Sequence, residues 1–191
     1  DKPKITNLNF DIKGIYYLPR IVKSSKLGDA AILKELIKIL DENQIKVIKS
    51  NIFNPELTLK KGSLSKTKPN KSDDISIKKG IKYLNDLNAH DHVQGLIIRN
   101  NNVIKKETSK GTKKMLQSIN KIKDAGGILI KFPKRKQDLR ADLPTIGLDT
   151  LKDCKKYNLK GIVLKSNQNI FMNKERCIDF ANKNKIFIKI I

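Results

Sequence analysis

Apolar positions along this chain recur at two spacings, about every 3.6 residues in some stretches and in short unbroken runs in others, and their alternation predicts a layered fold. From Gly28, residues Ala31, Leu33, Leu36, Ile37, Ile39 and Leu40 fall at helical intervals. Asp29 is placed to cap that helix or to favour its positive N-terminal end, and Asp41-Glu42-Asn43 stops it. Ile45, Val47 and Ile48 predict a short strand next, and a helix followed at once by a strand is an α/β signature. Upstream, residues 1–18 read as irregular, with Lys13-Gly14-Ile15-Tyr16-Tyr17-Leu18-Pro19 as a loop. Between residues 51 and 72 the composition turns to Pro, Gly, Ser, Asn and Lys, with Leu57-Thr58-Leu59 as a strand-like island, which marks a boundary or crossing.

The second half repeats the alternation. Ile77, Ile81, Leu84 and Leu87 share one face of a helix that begins near Asp73. Gln94 to Arg99, the polar turn Asn100-Asn101-Asn102, and Val103 to Glu107 predict a hairpin. A helix from Gly111 to about Ile122 precedes the buried strand Gly127 to Lys131. After a long loop come a helix from Leu148 to Tyr157, the strand Gly161 to Leu164, a shorter strand Ile170 to Met172, and a helix over 173–184 with Asn173 as its cap. A strand from Ile186 to Ile191 ends the pattern. Strands and helices alternating at these lengths imply an α/β (or α+β) layer around a mixed sheet.

Charge changes the picture only partly. The net charge is +22 and the isoelectric point about 10.0, an imbalance that ordinarily indicates nucleic acid or an anionic membrane surface. However, only five of the 41 cations are arginine and the lysines are spread over nearly every segment, as compositional drift in an AT-rich genome produces. No nucleic-acid recognition motif is present and the aromatics are not interleaved with a basic stripe, so nucleic acid is not an expected partner. No apolar run approaches the ~18–20 residues needed to cross a bilayer. The first residues lack the apolar core of a signal peptide, and the reading is of a soluble, cytoplasmic protein. Cys154 and Cys177 sit in separate helical patterns with no C-x-x-C spacing, and are expected as buried free thiols.

The candidate chemistry concentrates between Lys131 and Gly147, where cations, two acids and two prolines occur in a segment that reads as neither helix nor strand. Pro133 and Pro144 bias their neighbours toward extended backbone, and Gly147 permits an unusual turn before the next helix. Asp138 and Asp142 are hard oxygen donors of the kind magnesium takes, and Arg140 with Lys131, Lys134 and Lys136 could neutralise a diphosphate. Positioning and charge neutralisation are most of what phosphoryl transfer requires. A solvated basic loop with balancing acids accounts for the same residues. Elsewhere, Glu107 reads as a strand-end carboxylate. His90 and His92 flank Asp91 in a loop without a recognisable third ligand. Ser63, Ser65 and Ser166 have no partner base around them, which leaves covalent catalysis unsupported.

The stretch Lys131-Phe132-Pro133-Lys134-Arg135-Lys136-Gln137-Asp138-Leu139-Arg140-Ala141-Asp142-Leu143-Pro144-Thr145-Ile146-Gly147 resembles the central motif of the LpxI family, the UDP-2,3-diacylglucosamine pyrophosphatases of lipid A synthesis. Leu27-Gly28-Asp29-Ala30-Ala31, Phe53-Asn54-Pro55-Glu56-Leu57, Gln94, Glu107 with Gly111-Thr112 and Met115-Leu116, and Leu159-Lys160-Gly161-Ile162-Val163 are similar to further family segments. The resemblance implies residues 1–52 as the tail of a Rossmann-like N-terminal domain, 53–72 as a linker and 73–191 as the C-terminal catalytic domain of a truncated sequence.

It also implies magnesium-dependent hydrolysis of UDP-2,3-diacylglucosamine to UMP and 2,3-diacylglucosamine 1-phosphate. The enzyme would be cytoplasmic and peripheral to the anionic inner-membrane surface, its oligomeric state left open, a homodimer included. Asp142 is the expected essential acid, holding metal or orienting water. Asp138 is a second ligand or support, and Glu107 a further catalytic carboxylate. Arg140 and Lys131 form the expected diphosphate clamp, with Gln137, Thr145, Lys134, Gln94 and Thr112 as further substrate contacts. Val93 stands where the family has Gly, and Lys110 and Lys113 replace acids flanking Gly111-Thr112. A non-catalytic basic module binding anionic lipid or nucleic acid is the alternative from another class.

Overall fold

The computed structural model describes residues 9–57, 59–87, 93–119, 126–134 and 137–191. It divides into two compact units, Asp1–Lys49 with Arg140–Asp142, and Ser50–Leu139 with Leu143–Ile191.

The first unit holds two helices, α1 (Ile12–Ser25) and α2 (Asp29–Glu42). Helix α1 occupies the stretch expected as a loop. Asp11 nucleates it by accepting the Gly14 N–H at 2.6 Å, an N-cap that outweighs Pro19 in the helix interior. Arg20 joins α1 to α2, with Nε donating to Glu35 at 2.7 Å and both Nη atoms donating to Glu42 at 2.6 and 2.7 Å. These hydrogen bonds hold both carboxyls below the usual carboxylate range. Residues 45–49, expected to include a strand, are in no regular element, and Ile45 and Ile48 are exposed. β-Prone residues without a partner ladder leave their backbone groups to water.

The second unit is built on a six-stranded mixed sheet of order β1-β8-β6-β4-β2-β3. Its strands are β1 (Gly62–Ser63), β2 (Gly95–Arg99), β3 (Asn102–Lys106), β4 (Gly127–Lys131), β6 (Leu159–Leu164) and β8 (Phe187–Ile190). β4, β6 and β8 run parallel, and β2, β3 and β1 pair antiparallel. Asn100 and Asn101, both at positive φ, make a two-residue turn of the predicted hairpin, and Asn102, expected in the turn, opens β3. A separate parallel pair, β5 (Thr145–Ile146) with β7 (Ile170–Phe171), gives the long loop a strand at its end.

Side chains alternate across the sheet. Leu96, Ile98, Ile128, Ile130 and Val163 pack with Ile77 of α3 (Lys71–Asp86) on one face. Ile97, Leu129, Ile162 and Ile188 pack on the other with α4 (Gly111–Gln117), α5 (Leu148–Lys156) and α6 (Lys174–Lys183). Both faces are thus covered by helices, as the near-continuous apolar runs of the central strands require. An Asn70/Asp73 capping box starts α3.

Part of the stretch expected as a linker is built into this unit. Leu59 is buried, β1 joins β8, and Ser65 Oγ accepts the Ile188 N–H at 2.7 Å while donating to Thr67 O at 2.9 Å. Asn173, the expected cap of α6, makes no capping bond with its side chain. Its left-handed backbone differs from the extended conformation in which a cap residue accepts. Cys154 and Cys177 are buried free thiols, and burial pushes Cys177 up to about 11. No described helix is long and apolar enough to cross a membrane.

Candidate active site

The carboxyl end of β4 sends consecutive residues to opposite faces of the sheet, Lys131 toward α4 and Phe132 toward α3. The residues singled out in the sequence follow that alternation into two groups.

On the α4 side, Lys131 and Glu107 are both buried, with their charged atoms 3.6 Å apart. Lys131 Nζ donates to Thr112 Oγ1, which donates to Glu107 Oε1 at 2.8 Å. Glu107 reaches this place because its N–H extends the β2–β3 ladder to Gly95 O at 2.8 Å. Gly111, at φ +80, turns the chain so that Thr112 stands over the carboxylate. Glu107 Oε2 is buried with no hydrogen-bond partner among the described residues. It lies against Gly95, where an added Cβ would come within 2.8 Å of it, so a larger residue there would press on the carboxylate. The expected clamp residue Lys131 is therefore engaged within the protein, tied to two residues read as separate candidates, the acid Glu107 and the hydroxyl of Thr112.

On the α3 side lies a cavity of about 470 Å³, within the size range of small-molecule sites. It opens at the carboxyl ends of parallel β4 and β6, the position at which α/β sheets bind ligands. Leu84, Leu87, Val93, Phe132 and Leu139 form its apolar walls. Lys134, Gln137, Lys165, Gln168 and Asn85 supply its polar groups. Gln137 Oε1 accepts the Lys134 backbone N–H at 2.8 Å and Gln94 Nε2 at 2.9 Å. A backbone N–H can only donate, which fixes the carboxamide with its oxygen inward and leaves Gln137 Nε2 buried, with no partner among the described residues. Lys165 Nζ stands 5.8 Å from the centre of the Phe132 ring.

Arg140 and Asp142 belong to the first unit, where Arg140 Nη1 stands 3.8 Å from Asp41 Oδ2. Asp138 is half-buried in the second unit, and Thr145 is exposed, donating to Leu143 O at 3.2 Å. Asn169 anchors the end of the loop by accepting from Lys165 N at 2.8 Å and donating to Pro144 O at 3.3 Å. His90 and His92 lie outside the described residues. Of the family positions that differ here, Val93 lines the cavity, Lys110 precedes α4 and Lys113 is exposed. Sequence reading passed over Lys165, Gln168 and Asn85, because they come from the end of β6 and the end of α3 and converge only through the fold. The one available signal was position, since residues just beyond parallel strands face the ligand-binding edge.

Among the described residues no group of three or more His, Cys, Asp or Glu side chains could hold a metal ion. Magnesium commonly takes only one or two carboxylates and completes its shell with water and substrate phosphates, a pattern that Asp138 and Asp142 fit in donor chemistry.

A family model described as the LpxI C-terminal domain matches residues 60–189. The chain is 26% identical over 195 residues to the UDP-2,3-diacylglucosamine pyrophosphatase LpxI of Caulobacter vibrioides, covering 98% of this chain and 70% of that protein. The span matched by the family model runs from just before β1 into β8 and contains both the Glu107–Thr112–Lys131 cluster and the cavity, and on this extent of agreement the chain belongs to the LpxI family.

Proposed function

We propose that this chain is a hydrolase of lipid A synthesis that cleaves the diphosphate of UDP-2,3-diacylglucosamine to UMP and 2,3-diacylglucosamine 1-phosphate. Membership of the family, with a relative whose name states that substrate, carries the reading. The cavity supports it, since its lysines and carboxamides at a ligand-binding sheet edge suit a polar, anionic substrate.

In this reading Asp142 is the essential acid, orienting the attacking water or binding metal, and Asp138 supports it. Arg140 and Lys134 neutralise charge that develops on the diphosphate. The Glu107–Thr112–Lys131 cluster holds its ammonium in a fixed, dry position beside the strand end from which the catalytic loop departs. Magnesium, with Asp142 and Asp138 as its carboxylate donors, would supply additional charge neutralisation at the phosphates. The net charge of +22 supports attraction to an anionic membrane surface, where a diacylated substrate resides.

Asp142→Asn tests the assignment. It is expected to lower turnover of UDP-2,3-diacylglucosamine by at least about a hundredfold, the scale of a lost acid–base group, with the melting temperature unchanged. Wild-type turnover in the variant would refute the role of Asp142.

A further inference from the structure

We propose that the outer face of α3 docks on an anionic bilayer surface, an inference that gives the membrane attraction stated above its place on the protein and rests on it. The distribution of charge over the two helical layers of the second unit carries it.

Lys71, Lys78, Lys79 and Lys82 are all exposed on α3. Together with the exposed Ile75 they fall within an arc of about 100° along roughly 17 Å of helix. Ile77, Gly80 and Leu84 lie on the side of the helix that packs on the sheet. Two acids near the start of α3 are engaged elsewhere, Asp73 with Lys160 of β6 and Asp74 with Lys189 of β8 at 2.6 Å. Asp86 follows one turn beyond Lys82. None of the four α3 lysines is paired with a carboxylate among the described residues. Lys78 and Lys82 are four apart and Lys79 and Lys82 three apart, spacings at which like charges repel.

The opposite layer differs. Helices α5 and α6 expose Asp149, Glu175 and Asp179 among their lysines, and Lys152 pairs with Asp149 at 3.5 Å. Drift toward lysine accounts for the number of cations in both layers, but not for a self-repelling stripe in one of them.

An anionic bilayer supplies what the stripe lacks. Its plane of negative charge attracts each lysine held within a Debye length, and Ile75 among them presents an apolar side chain to the headgroup boundary. Nucleic acid fits less well, because the face has no arginine and no exposed aromatic ring to read or stack on bases. Leu84 and Asn85, near the end of α3, line the cavity. A bilayer against this face therefore borders the cavity, where a diacylated substrate would leave it.

The test is co-sedimentation of the full chain with phosphatidylcholine vesicles, with and without phosphatidylglycerol, at about 0.1 M salt. It compares the wild type with Lys71→Gln/Lys78→Gln/Lys79→Gln/Lys82→Gln and with a control that removes the same charge from exposed positions of the opposite layer, Lys114→Gln/Lys155→Gln/Lys156→Gln/Lys183→Gln. Expected are binding at least about tenfold tighter with phosphatidylglycerol, at least about tenfold weakening in the α3 variant, and a control within about threefold of the wild type. Lys78→Gln/Lys82→Gln, with a loss of at least about threefold, carries the same test if the quadruple α3 variant does not fold. Equal losses in the two quadruple variants, or wild-type binding indifferent to phosphatidylglycerol, would overturn the assignment. Tighter binding to a duplex oligonucleotide than to anionic vesicles, lost in the α3 variant, would overturn it in favour of nucleic acid. Hydrolysis of UDP-2,3-diacylglucosamine in non-ionic detergent is measured in parallel and is expected unchanged in the α3 variant. Turnover without face-specific vesicle binding removes this inference alone, whereas face-specific binding without turnover removes the hydrolase reading and leaves the docking face.

Discussion

The two sides of one strand end solve opposite problems with the same residue types. On the α4 side, Lys131 and Glu107 are buried and joined through the half-buried Thr112 hydroxyl, their charges set against each other. On the α3 side, Lys134 and Lys165 line an open cavity with no such closure. Charge that is satisfied inside the protein fixes geometry. Charge held against a cavity is available to a ligand. The contrast teaches that a lysine's position in a motif does not by itself identify it as a substrate contact, because a shift of one residue along a strand exchanges the two faces.

The largest effect is expected on the closed side. Lys131→Met leaves Glu107 buried and uncompensated and should destabilise the protein by about 3–5 kcal/mol, read from urea unfolding. The double variant Glu107→Leu/Lys131→Met should recover most of that loss, since buried ion pairs are often replaceable by apolar residues. A double variant as unstable as the single one would show that the cluster organises more than its own charges.

Gly95→Ala comes next. The new methyl would press on Glu107 Oε2 and should cost about 1–3 kcal/mol, the usual range for overpacking. On the open side, Gln168→Ala should change stability by less than about 0.5 kcal/mol in the same unfolding experiment, as surface substitutions do. A large loss there would make the cavity a structural feature like its counterpart.

The smallest effect concerns charges in the open. Arg20 depresses the carboxyls of Glu35 and Glu42, so their contribution is present above the unfolded carboxylate pKa of about 4.3 and disappears as pH falls through the lower folded values. Helical circular dichroism should therefore show acid loss of α1–α2 pairing that is sensitive to salt, and Arg20→Met should flatten that dependence. An unaltered profile in Arg20→Met would assign the acid transition to other groups.

Much of the fold was legible because period and length were unambiguous where burial is complete. The runs Gly95–Arg99, Gly127–Lys131 and Leu159–Leu164, the last read from Gly161, form the centre of the sheet, and Ile77, Ile81 and Leu84 lie on one helix as spaced, with Leu87 just past its end. Misreadings fell where local signals compete with context. Pro19 and Gly14 masked α1, whose start is set by the Asp11 cap, and Ile45–Ile48 had strand composition but no ladder to join. Within the site, Glu107, Thr112 and Lys131 were read as candidates individually and the fold brings them together. Which faces they and Gln137 occupy depended on strand register. Lys165 and Gln168 entered only through the parallel pairing of β4 with β6, a contact between segments distant in sequence.

The most direct measurement is product formation from UDP-2,3-diacylglucosamine incubated with this chain and magnesium, resolved by phosphorus NMR. Equal release of UMP and 2,3-diacylglucosamine 1-phosphate is expected, lost in Asp142→Asn. Intact substrate with the folded wild-type chain, or cleavage to products other than these two, would contradict it.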